Sequence, residues 1–275
     1  MMEAEEAMKE EREKRLRPAD ILEAMKSDAP VFVGFSERGP VGEPVEIKRW
    51  GQYIVKFGTM RKSGFLATSS RGFFINGGGR FYVLNLGERP VEVEEAAARY
   101  SEGLAALDAL EDIPFIIAPG EHEPEVHGAI LEYCERRGTY AILDGPEELI
   151  ERQPQQEEGT EGEAAGQPAE EGAVEEEEER YENMPKVSSE RGLVVFPWIY
   201  LKDRVLGNFY IPPTGHVAGI LCRLYGSGER PEYSTIEGTV LLRYKFSPED
   251  IGLYSPRGIS FLRYPTKHPG LMLYE

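Results

Sequence analysis

Short β-branched runs alternate with helix-forming segments along most of this chain, and that alternation limits the fold more than any other feature. APVFVGF (29–35) has the composition of a buried strand and ends near a glycine. After a short extended piece, Trp50, Tyr53, Ile54 and Phe57 stand at helical spacing. Phe65, Leu66, Phe73 and Phe74 fall in a second helix, closed by Asn76-Gly77-Gly78-Gly79. Residues 80–86 (RFYVLNL) read as a strand, 104–110 as a helix, and 113–118 as a strand. A helix follows over 124–136, with Val126, Ile130, Leu131 and Cys134 inward, and then a strand over 140–144. Later in the chain, 192–201 (GLVVFPWIYL) reads as one strand, 214–225 as a helix, and 239–244 and 259–263 as strands. Strands separated by helices predict an α/β fold, a largely parallel or mixed sheet with helices on both faces.

Two segments stand outside this pattern. Residues 151–190 hold fourteen Glu against Arg152, Arg180 and Lys186, with almost no bulky apolar side chain over QPQQEEGTEGEAAGQPAEEGAVEEEEER. Such a stretch cannot bury enough surface to offset its ordering entropy, so a disordered acidic insertion is expected. Residues 1–28 carry Glu5/Lys9, Glu10/Lys14, Glu11/Arg15 and Glu13/Arg17 four apart, as in an exposed helix. Pro18 breaks that run, and Ile21, Leu22 and Met25 form a short apolar face beyond it. The expected organisation is a charged helical extension (1–28), a core in two parts (29–150 and 191–264), the insertion (151–190) and a tail (265–275).

Charge and cysteine content narrow the function classes. The net charge of −18 argues against nucleic acid and against anionic lipid, both of which are held mainly through Lys and Arg. Arg61, Lys62 and Arg71 are scattered and form no basic patch. Two cysteines, Cys134 and Cys222, are too few for a disulfide framework or a Cys-only zinc site. The apolar run 193–201 is interrupted by Pro197 and falls far short of a membrane span. The opening MMEAEEAMKEEREKRLRP has no apolar signal core, so cytoplasmic synthesis is expected.

Three motifs invite a chemical reading. The glycines Gly77 to Gly79 close a helix and precede a strand, the reverse of a phosphate-binding loop, so they read as a helix stop. His122 and His127 are five apart across Pro124, which would set the rings about 140° apart on a helix, so a helix start is the better reading. Pro213-Thr214-Gly215-His216-Val217-Ala218-Gly219 is similar to the segment around the subtilisin histidine. Asp144 or Asp203 would be its acid. Ser247, Ser255 and Ser260, however, lack the setting of an exposed nucleophile, and no Gly-x-Ser-x-Gly elbow exists.

Several runs in order resemble the core of the contractile phage tail sheath family. They are Val31 to Pro40, Glu43-Pro44-Val45, Trp50 to Tyr53 with Phe57-Gly58, and Gly72 to Val83, then Leu104 to Leu107 with Ile116 to Gly120, and Cys134 to Arg137 with Ala141 to Asp144. Phe196 to Ile199, Ile211 to Ile220 and Gly258 to Arg263 continue the series, so the resemblance spans roughly 29–264.

The resemblance implies a subtilisin-like α/β core without proteolytic activity. It implies a structural, self-assembling virion component of a phage, prophage or contractile injection system, with no catalytic, metal or cofactor residues. Its partners would be other sheath subunits (copies of itself or a full-length paralogue), the tail tube protein and the baseplate. The family ordinarily continues past the region of 258–263 into a C-terminal domain, whereas this chain ends at Glu275, so a short accessory or split sheath is expected. Two alternatives stand beside it: a subtilisin-like serine hydrolase using His216, and an adaptor recruiting a basic partner through 151–190.

Overall fold

A computed structural model describes residues 15–59, 64–152, 180–187, 189–204, 206–232 and 234–264, together with the backbone of 272–273. The helix expected before Arg15 and the acidic tract over 153–179 lie outside the described residues.

The apolar runs form one eight-stranded sheet. In chain order its strands are β1 (Val31–Gly34), β2 (Pro44–Ile47), β3 (Phe81–Asn85), β4 (Phe115–Ile117), β5 (Tyr140–Asp144), β6 (Gly192–Phe196), β10 (Ile259–Arg263) and β11 (Met272–Leu273). Their spatial order is β2-β3-β1-β4-β5-β6-β10-β11. The six inner strands are parallel, while β2 and β11 pair antiparallel at the two edges. The expected mixed α/β sheet is therefore present. β1, β4 and β6 are buried at every position, as strands covered on both faces must be.

Alternation along each strand feeds two separate cores. Phe32, Ile117, Ile142 and Val195 enter the first, with α1 (Pro18–Ala24), α2 (Trp50–Phe57), α3 (Leu66–Ile75) and α6 (Thr214–Leu224) packed over it. Val31, Val33, Ile116, Leu143 and Val194 enter the second, under α4 (Val93–Leu104), α5 (Pro124–Arg137) and α7 (Pro248–Tyr254). The period of two is what sends neighbouring residues to opposite faces.

The helix ends follow local chemistry. At the end of α3 the Gly77 N–H donates to the Phe74 carbonyl (3.2 Å) and the Gly78 N–H to that of Phe73 (3.0 Å). With Gly77 at φ +92° this is a Schellman cap, and the triple glycine is a helix stop as its position indicated. α5 begins at Pro124 and closes on Gly138 at φ +70°. Ser247 starts α7 with a reciprocal cap: its Oγ accepts from the Asp250 N–H (3.1 Å), and the Asp250 carboxylate accepts from the Ser247 N–H (3.0 Å). Ser247→Ala is expected to lower the unfolding free energy by about 1 kcal/mol, read as a shift in urea midpoint at unchanged slope.

Two of the expected elements differ in the structure. The helix expected over 104–110 begins earlier: α4 occupies Val93–Leu104, and a 3-10 segment follows over Ala105–Ala109. Ala96, Tyr100 and Leu104, spaced by four, are its buried face, and alanine is a weak apolar signal. The run 192–201 is two strands, because the chain leaves the large sheet at the cis Phe196–Pro197 bond and enters β7 (Ile199–Asp203). β7 is the centre of a three-stranded antiparallel sheet, flanked by β8 (Gly207–Ile211) and β9 (Thr239–Leu242). Neither β8 nor α7 was anticipated. Ile199, Leu201, Ile211 and Leu242 fasten this small sheet to the first core.

The described ends of the acidic stretch are anchored. Tyr181 and Met184 are buried in the second core, and Glu151 bridges Tyr181 in antiparallel sense.

Candidate functional site

In parallel α/β sheets ligands bind outside the carboxyl ends of the strands, at the point where strand order reverses. Here that point lies at β1 and β4, since the chain runs from β1 to β3 on one side and then returns to β4 on the other.

The protein's own side chains occupy the carboxyl edge. Ser36, Asn85, Glu121 and Asp144 follow or end β1, β3, β4 and β5 and are all buried. Each is matched locally. Ser36 Oγ donates to the Phe57 carbonyl (2.9 Å), and Asn85 Oδ1 accepts from the Gly87 N–H (3.0 Å). Arg89 holds Glu121 through Nη1 and Nη2, the latter at 2.9 Å from Oε2, and its charge lies 5.5 Å from the centre of the Phe35 ring. Burial disfavours the Arg89 charge, but the bonds and charge of Glu121 outweigh it and hold the guanidinium above its ordinary pKa. Phe65 and Trp198 meet edge to face at 5.0 Å, and the Trp198 N–H donates to the Gly145 carbonyl (2.8 Å). A Cβ at Gly120 would fall 2.3 Å from the Phe65 ring, so this loop closes tightly over the edge.

Asp144 performs the most demanding task there. Its Oδ2 accepts from the Gly120 N–H (3.0 Å) and from the Thr214 hydroxyl (2.8 Å), and its Oδ1 from the Thr214 N–H (3.3 Å). α6 is preceded by Pro213, which offers no side-chain cap. A carboxylate from a strand seventy residues earlier thus caps the helix across the sheet. Complete burial pushes the Asp144 pKa up to about 7, although the bonds from Gly120 and Thr214 pull the other way.

The hydroxyl–imidazole–carboxylate arrangement of a serine hydrolase is not formed at His216. Its ring is fully buried, and neither nitrogen has a hydrogen-bond partner among the described residues. Asp144 is engaged with Thr214, and Asp203 with Arg71 (3.2 Å) and the Leu206 N–H (2.9 Å). Ser247 caps α7, Ser255 opens the 3-10 turn behind it, and Ser260 lies in β10. Burial alone lowers the His216 pKa to about 4, so the ring is neutral.

His122 and His127 bind separate partners. His122 is exposed, with Nε2 3.3 Å from Glu123, while His127 is buried with Nε2 3.0 Å from the Glu121 carbonyl. Burial, against that backbone bond, lowers the His127 pKa to about 4. Among the described residues no three His, Cys, Asp or Glu side chains gather as metal ligands would. No helix among them is long and apolar enough to cross a membrane. Arg89 and Glu121 belong to no sequence motif, and Thr214 lies in the Pro213–Gly219 run with no local sign that it meets Asp144. Their one signal is position, just after a strand or at a helix start.

No protein-family model matches the chain, and no curated protein matches it. Solved structures do. The helical sheath of the anti-feeding prophage, in its contracted state, aligns with 94% of this chain and 64% of its own length, at 17% identity and a TM-score of 0.60. The contracted sheath complex of the extracellular contractile injection system PVC aligns with 91% of this chain and 60% of its own, at 19% identity and a TM-score of 0.60. A sheath tail protein from Listeria innocua aligns with 94% of this chain and 71% of its own, at 9% identity and a TM-score of 0.59. The chain spans 60 to 64% of the length of the first two. A doubled core, a mixed sheet and a self-filled carboxyl edge thus belong to a chain with the fold of contractile-sheath subunits.

Proposed function

We propose that this protein is a structural subunit of a contractile tail or tail-like injection particle, packing around a tube beside other sheath subunits. The observation that carries the reading is the likeness to sheath proteins over 90 to 94% of the chain. The carboxyl edge supports it, because the groups that would meet a substrate there already bond one another. On this reading the parts 29–150 and 191–264 form one core, and 151–190 is an insertion in it. The subunit works through shape and contact surface, with copies of itself or a longer paralogue, the tube and the baseplate as its partners. Head-to-tail contact between identical subunits is the symmetry that builds such open arrays.

The test is location. Particles are sedimented from the native host carrying an epitope-tagged chain and viewed with immunogold. Label along the sheath of tail-like particles is the expected result. A tagged chain that remains entirely in the supernatant while particles pellet without it would overturn the proposal.

A further inference from the structure

We propose that His216 is an acid-sensitive latch between α3 and α6, holding the two helices together while its ring is neutral and releasing them when it takes a proton. The ring is fully buried on α6, and both nitrogens lack hydrogen-bond partners among the described residues. It lies so close to α3 that a Cβ at Gly72 would fall 2.3 Å from its Nδ1 and Cε1. On its other side is Gly238, in the turn ahead of β9, with Nε2 4.0 Å from where a Cβ would stand. The hydroxyls of Ser69 and Ser70 on α3 are likewise buried without partners. A neutral imidazole leaves one N–H and one lone pair unbonded there, a smaller cost than burying a charge. An imidazolium would carry two N–H donors and a full charge where neither nitrogen has a hydrogen-bond partner among the described residues, so proton uptake favours opening of the contact.

Among the described residues no opposite charge pairs with the ring. The elements most in contact with α6 are α3, α1 and β5, whose titratable side chains are Arg71, Asp20, Glu23, Tyr140 and Asp144, and α6 itself carries Cys222 and Arg223. Arg71 pairs with Asp203, Asp20 with Arg17, and Asp144 with Thr214. Glu237, beside Gly238, is exposed. Burial is the single cause of the ring's lowered affinity for protons.

The sign follows directly. The ring titrates near 4 when packed and near its ordinary 6.5 when released. Its contribution is fully present above 6.5 and falls up to tenfold per pH unit between 6.5 and 4. The experiment is hydrogen exchange on the full chain at pH 7.5 and 5.0, corrected for the intrinsic rate, in wild type and His216→Leu. Between pH 7.5 and 5.0 the peptides of α3 and α6 should lose about thirtyfold more protection in wild type than in His216→Leu, a difference from which the titrations of Asp144 and His127 cancel. The same pH dependence of protection in wild type and in His216→Leu overturns the latch. Should the Leu variant not fold, the carbon-13 shift of the wild-type ring decides: no titration of the folded signal down to pH 5 supports it, and titration near 6.5 in the packed state sinks it.

Discussion

Gly219→Ala should lower the unfolding free energy by about 3 kcal/mol, although alanine is the better helix former. A Cβ at Gly219 would stand 2.4 Å from the Phe73 carbonyl oxygen, and one at Gly215 would stand 2.5 Å from Cα and O of Ser69. Both obstacles are backbone atoms of α3, which no rotamer change can move. The two helices must separate, exposing apolar surface on the fully buried α6 residues Val217, Ile220 and Leu221. Gly128 in α5 is the control. Among the described residues nothing lies within 4 Å of its would-be Cβ, so Gly128→Ala should gain about 0.5 to 1 kcal/mol. Urea unfolding of the two variants reads both signs. A neutral or stabilising Gly219→Ala would mean that α3 and α6 are not packed as described.

Asp144→Ala should cost about 3 kcal/mol or more, because it strands the Gly120 N–H, the Thr214 N–H and the Thr214 hydroxyl in a buried place. Asp144→Asn keeps an acceptor and should cost less. The pair also separates capping from charge. The folded pKa is raised from 3.8 to about 7, so the contribution of Asp144 is fully present below 3.8 and is lost as pH rises through 7. The gap between wild type and Asp144→Asn should therefore move by about 2 to 3 kcal/mol against wild type from pH 5 to pH 8. Parallel stability profiles for the two proteins would show that the group is ionised throughout. The buried imidazoles act in the opposite sense: their lowered pKa values withdraw stability as pH falls from 6.5 towards 4.

Most of the large sheet was legible because its inner strands are short, apolar and bounded by turns. Val31 to Gly34 and Tyr140 to Asp144 lie where composition placed them. Legibility failed where tertiary contact decides. Pro197 sits inside a continuous apolar run, and only the second sheet gives Ile199 and Leu201 a reason to leave the first. The Ser-Pro-Glu-Asp start of α7 was readable as a capping box but precedes only a short helix. At the carboxyl edge, Asp144 was noticed as an acid for His216, yet its partner is Thr214, two residues earlier. A motif gives the neighbours of a residue in the chain, whereas a hydrogen bond across seventy residues depends on how β5 and α6 meet. Glu121 and Arg89 carry no local pattern, and only the return of the chain to β4 brings them together.

The division of each strand between two interiors makes the pleat a frame with a parity. Val31 and Val33 look one way and Phe32 the other, so one residue added within β1 would exchange the tenants of both halves from that point on. Growth by single residues is thus confined to the connections between strands, and a strand can lengthen only in steps of two.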